Sequence, residues 1–223
     1  DTFRNLSDWT FTKQQDYECK ITDLPDEEGQ KELLLRTDGE YLMEGMAVIQ
    51  NGKKEKEVGL TVPESTRYIK LADSLDTFTR IDEGIALSKK TADSLGVKKG
   101  DSITWKPSGD KEWVESKIEA IIRTPLSQGI VIMRKAFEKN GGTYVPAAII
   151  GVEPQKGFGE YEKECSISHQ GELTKGIDSM MEGMIMMIAL LVLGAVILGG
   201  VMLYNLGVLS YLERCREFAT MKV

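Results

Sequence analysis

Two hydrophobic patterns divide the chain. From Tyr17 to about Ser168, apolar residues come in short runs broken by glycine, proline, asparagine and aspartate. From Met184 to Leu212 they run unbroken, with no Asp, Glu, Lys or Arg over 29 residues. The first pattern predicts strands and short helices; the second predicts one helix long enough to cross a bilayer, which needs about 20 apolar residues. At about 1.5 Å per residue the run is roughly 43 Å long, more than the roughly 30 Å hydrocarbon core. A buried core helix is the alternative, but 29 uncharged residues are too many for a domain of this size.

In the first region, Tyr17–Ile21 predicts a strand and residues 25–37 a helix opened by Pro25 and three acids. Asn51-Gly52 between Tyr41–Gln50 and Val58–Val62 predicts a hairpin, with Lys53–Glu57 as a solvated tip and Pro63 as its end. Short strands are predicted at Tyr68–Leu71 and Gly84–Leu87. Ser88 should cap a helix that ends at Leu95 before Gly96. Ser102–Trp105 and Trp113–Arg123 follow as strands. Val114, Ile118, Ala120 and Ile122 should share one face of the second, and Pro125 should end it. Gly129–Met133 is a strand, Arg134–Asn140 a short helix, Ala147–Val152 a strand and Cys165–Ser168 a last return strand. Trp9 and Phe11 alternate in the polar opening, and residues 154–163 read as glycine-rich and polar. The class is α+β: a small mixed sheet or partly closed barrel with short helices over residues 1–170, followed by one long transmembrane α-helix. A stalk, 171–183, separates the domain from the span 184–212, and 213–223 forms a charged tail. Ile177, Met180, Met181, Met184 and Met187 at helical spacing suit packing against neighbouring helices.

Charge orients the span. The segment after Leu212 carries Arg214, Arg216 and Lys222 against Glu213 and Glu217, a net +1; the rest of the chain is at −8. Basic residues mark the cytoplasmic end, so residues 1–183 are expected outside and 213–223 inside. An acidic outer domain repels nucleic acid. Gly194, Ala195, Gly199 and Gly200 suggest a small-residue face for close helix packing. Tyr204 and Tyr211 suit the inner interface. Of the three cysteines, Cys215 falls on the reducing side. Cys19 and Cys165 share the outer side, where they are either a disulfide or two small core residues. The lone His169 sits in a polar stretch. No nucleotide or phosphate-cradle motif is present, no catalytic set assembles, and no metal or cofactor is expected. The chain opens at Asp1 without methionine and is read as a piece of a larger protein whose missing upstream part translocates the domain.

The segment LYNLGVLSYLERCREFATMKV, Leu203–Val223, resembles the end of a helix and the following cytoplasmic loop in FtsX-like ABC transporter permeases. Tyr204, Asn205, Glu213, Arg214, Arg216, Glu217, Ala219, Thr220 and Lys222 match that motif. GIALSKKTADSLGVKKGDSITW and IVIMRKAFEK are similar to parts of the MacB-type extracytoplasmic domain of large two-repeat permeases from Gram-positive bacteria. Residues 1–80 carry no such likeness. The resemblance implies a membrane subunit that does not itself hydrolyse ATP. An ABC-type ATP-binding subunit and a second permease half or repeat would be its partners, in a multi-pass protein of the cell membrane. Glu213, Arg214, Arg216 and Glu217 would bear on the ATPase or neighbouring inner helices. The expected role is to turn ATP-driven helix movement into movement of the outer domain for export or for lipoprotein or peptide handling, with the substrate unspecified. The alternatives are a non-transporting regulator that activates a cell-wall hydrolase or relays an antimicrobial-peptide signal, and an unrelated membrane-anchored extracellular enzyme.

Overall fold

The computed structural model describes residues 14–52, 54–73, 77–124, 128–155 and 157–220. Trp9, Phe11, Lys53, Pro125 and Lys222 lie outside them. The chain divides into two units, Asp1–Thr174 and Lys175–Val223.

Among the described residues, the first unit is built on a nine-stranded mixed sheet. Its strands are β1 (Cys19–Thr22), β2 (Glu40–Asn51), β3 (Lys54–Pro63), β6 (Ile85–Ser88), β7 (Ser102–Pro107), β8 (Val114–Ile122), β9 (Gly129–Ile132), β10 (Ala148–Gly151) and β11 (Ser166–His169). A second, two-stranded sheet pairs β4 (Leu71–Ala72) with β5 (Phe78–Thr79). Among the described residues its helices include α1 (Glu27–Thr37), α2 (Lys89–Leu95), α3 (Arg134–Lys139) and α4 (Tyr161–Glu164).

The hairpin forms where Asn-Gly predicts it. Asn51 pairs with Lys54 and Gly52 takes a φ of 60°, which glycine tolerates without steric cost. The charged stretch after it is strand rather than tip: β3 starts at Lys54, and Lys54 and Lys56 reach Ser94 on α2.

β2 organises the sheet because it changes partner along one edge. Leu42 pairs with Ala148 of β10, whereas Ala47–Gln50 pair with Thr104–Pro107 of β7. The second pairing closes a six-stranded ring, β2-β3-β9-β6-β8-β7, and the first leaves β10, β1 and β11 as a three-stranded extension. The expected partly closed barrel thus appears as a closed ring with a flap of sheet.

The ring interior is filled. Ile49, Leu60, Ile85, Leu87, Trp105 and Phe137 are among its buried residues, with α2 and α3 contributing Leu95 and Ala136. Trp105 stacks on Phe137 at 6.3 Å between centroids, and its indole N–H donates to Ser116 Oγ at 3.0 Å. A buried indole needs that partner.

One strand departs from simple alternation. Ile85 pairs with Ile118 but Ala86 pairs with Ala120, so β8 carries a one-residue bulge at Glu119. An extra residue inverts the side-chain alternation beyond it. Ile118 therefore faces the ring interior, whereas Ala120 and Ile122 join Leu71, Ile81 and Val131 on the outer face. The expectation that Val114, Ile118, Ala120 and Ile122 share one face is corrected accordingly. The Glu119 carboxylate accepts the backbone N–H groups of Asp82 and Gly84 at 2.8 and 2.9 Å.

Helix ends follow local chemistry. The Asp26 carboxylate caps α1 by accepting the Gly29 N–H at 3.0 Å. Ser88 stands at the N-cap of α2, but its hydroxyl donates to Thr91 Oγ1 at 2.8 Å and caps no backbone N–H, which corrects its expected role. Gly96 ends α2 in the left-handed region.

The extension has an independent core on each face. Ile149 of β10 packs with Ile21, Leu33 of α1 and Phe158, and its neighbours Ala148 and Ile150 pack with Leu42 and Tyr68 on the other side. Phe158, 2% exposed, anchors a segment that the sequence presents as merely polar.

Candidate coupling helix and its anchor

The second unit is the body of α5, Gln170–Thr220, an unbroken helix of 51 residues. It joins what the sequence separates as stalk, span and tail. Residues 179–216 have the length and composition to cross a membrane: an 18-residue window within them reaches a mean hydropathy of 2.7, and none of that window is buried among the described residues. Leu190, Leu193, Val196, Leu198 and Leu203 are exposed, around the whole circumference. A helix that is apolar on every side requires lipid or other helices around it, so the core-helix alternative falls away.

The small residues do not form one face. At about 100° per residue, Ala195 and Gly199 stack within about 40° of each other, whereas Gly194 and Gly200 lie about 120° apart on flanking sides. A Cβ added at Gly194, Gly199 or Gly200 would meet nothing. The geometry therefore supplies one short close-approach strip, Ala195–Gly199, with notches to either side. At the far end Glu213 and Glu217 fall within about 40° of each other on the helix, flanked by Arg216 on one side and Arg214 on the other. Glu213, Arg214 and Arg216 are exposed, as is Cys215.

The near end is anchored. β11 runs directly into α5 with no linker, and its four residues pair antiparallel with β1 from Thr22↔Ser166 to Cys19↔His169. Gln170, the first helical residue, is 7% exposed. Its backbone N–H donates to Glu18 O at 2.9 Å and its side-chain amide to Gln15 O at 2.9 Å. His169 packs edge-on to Phe158 and places Nδ1 3.4 Å from Glu153. These polar contacts around Gln170 had no sequence signal beyond a polar stretch, because they depend on the pairing of β11 with β1.

Cys19 and Cys165 belong to one apolar cluster of the extension, but as free thiols. The strand register explains why. Ser166 pairs with Thr22, three residues along from Cys19, which separates the cysteines' Cα atoms by more than the roughly 7 Å a disulfide spans. The candidate bridge gives way to its alternative, two small core residues. Burial pushes the Cys19 thiol up to about 11, with the Glu153 and Glu18 carboxylates adding to the effect. Burial also raises Cys165. Both stay protonated and unreactive at neutral pH.

An ion-pair cluster braces the ring. Arg134 pairs with Glu64 and with Glu138, and lies 4.3 Å from the Tyr144 ring centroid. Glu64 in turn accepts the Tyr41 N–H at 3.1 Å.

No family model matches the chain, and no curated protein does. Among solved structures it is similar to the extracellular domain of the noncanonic ABC-type transporter YknZ from Gram-positive bacteria. That similarity has 13% identity and a TM-score of 0.43, and covers 66% of this chain and 87% of the other. It is also similar to a domain of a putative permease protein from Porphyromonas gingivalis, at 11% identity and a TM-score of 0.33 over 62% and 73% of the two chains.

Proposed function

We propose that this chain is part of the membrane subunit of an ABC transporter of the FtsX/MacB mechanotransmission type. It couples ATP hydrolysis by a partner subunit to movement of an extracytoplasmic domain. One observation supports this above the others: the Glu213–Glu217 charge cluster and the anchored residue Gln170 are the two ends of a single unbroken helix.

In this reading residues 1–183 are outside the membrane and 213–223 inside, and the Ala195–Gly199 strip approaches a helix of a second permease half or repeat. Arg214, Arg216, Glu213 and Glu217 engage the ATPase or adjacent inner helices through charge pairs. The substrate class is unassigned. Co-purification of the intact protein from its membrane tests the reading. An ATP-binding subunit should accompany it, and reversing charge at both Arg214 and Glu217 should reduce its ATPase stimulation. Absence of any ATP-binding partner, with full function retained in the charge-reversed variant, overturns the proposal.

A further inference from the structure

The fork where β2 changes partner holds a cavity of about 410 Å³, in the range of ligand sites. Its floor is apolar: Trp105, Phe137, Met43 and Val114. That floor is preformed. The indole is fixed by Ser116 and by stacking on Phe137, and the wall at Gly142 is drawn so tightly that an added Cβ would lie 2.5 Å from the Phe137 ring. A preformed pocket avoids the ordering cost of binding. The rim includes Asp110 and Glu112 against Lys111, all exposed, and neither carboxylate makes an ion pair among the described residues.

A second observation concerns the backbone. Leu42 O accepts from Ala147 and Met46 O accepts from Ser108, so the even-numbered residues of β2 direct their polar groups to this edge. The β10 ladder ends at Leu42 and the β7 ladder starts at Ala47, which leaves Glu44 between them with no strand partner on that side. A short extended peptide can satisfy such an edge while one side chain enters the pocket.

We infer that the fork is a peptide-docking site for a short extended segment presenting one aromatic or aliphatic side chain beside Lys or Arg. The apolar side chain fills the Trp105–Phe137 floor, the cation pairs with Asp110 or Glu112, and the peptide backbone meets Glu44. Titration calorimetry on the whole chain in lipid nanodiscs tests this with acetyl-Lys-Phe-Lys-amide. Acetyl-Glu-Phe-Glu-amide and phenethylamine serve as the other arms. The Lys peptide should bind saturably and the Glu peptide should not. The double variant Asp110→Asn/Glu112→Gln should weaken the Lys peptide roughly 3- to 10-fold, as expected for losing two exposed charge pairs. Thr143→Trp, at an exposed position on the cavity wall, should block binding while leaving the thermal midpoint unchanged. Equal binding of both peptides, no binding of either, or indifference to both variants overturns the assignment. Phenethylamine binding as tightly as the peptide also overturns it, and assigns the pocket to a small amine.

Discussion

The ring and the extension use the same strand, β2, and hold together in different ways. The ring closes on itself, so each of its strands has neighbours on both sides, and a single filled core lies within. The extension ends at β11, carries two small clusters on opposite faces, and relies on polar contacts at Gln15, Glu18 and Gln170. Closure makes the ring a stiff body suited to presenting a preformed surface. The extension is where the chain continues into α5, and its stability is divided among smaller contributions. Resistance to deformation and connection to the long apolar helix therefore lie in separate parts of one sheet.

The largest expected break lies in the ring. Phe137→Ala removes the ring stacked on Trp105 and should cost about 3–5 kcal/mol, read as a lowered denaturation midpoint. Gly129→Ala comes next. Its Cβ would fall 1.9 Å from Gly59 O across the β3–β9 pair, so the ladder must part there, at a cost of about 2–4 kcal/mol with loss of amide protection along β9.

The extension should respond instead to alkali. The Cys19 thiol titrates at about 11 in the folded chain against 9.0 as its ordinary value. Below pH 9 both states hold the proton and the stabilisation is complete. Between 9 and about 11 the unfolded chain releases it first, so stability falls by up to about 2–3 kcal/mol. A pH series of denaturation curves should show this loss, and Cys19→Ala should flatten it. Gln170→Ala should have the smallest effect, about 1 kcal/mol. It should appear as faster hydrogen exchange in β1 and β11, with the ring strands unchanged.

Much of the ring is legible in the sequence because its signals are local. Asn51-Gly52 specifies a hairpin, and Gly96 ends α2 where the pattern places its stop. The two-partner edge of β2 is not legible, because it depends on residues more than fifty positions apart. The Glu119 bulge escapes because Ile118, Ala120 and Ile122 read in the sequence as one uninterrupted alternation; only pairing with β6 reveals the extra residue. Phe158 escapes because it and Tyr161 stand among glycines and charges with no strand or helix periodicity to report burial. On α5, composition identifies the uncharged run at once. The angular scatter of Gly194 and Gly200 required the helix to be laid out residue by residue.

β11 is the outermost strand of the sheet among the described residues, and an outer strand ordinarily invites a second molecule to extend the ladder. This one is four residues long, SISH, with its outward positions polar, and it turns at once into helix. A stray strand would find too few backbone groups to hold and no continuation beyond His169. The abrupt passage from β11 to α5 thus also guards the chain from pairing edge to edge with another copy.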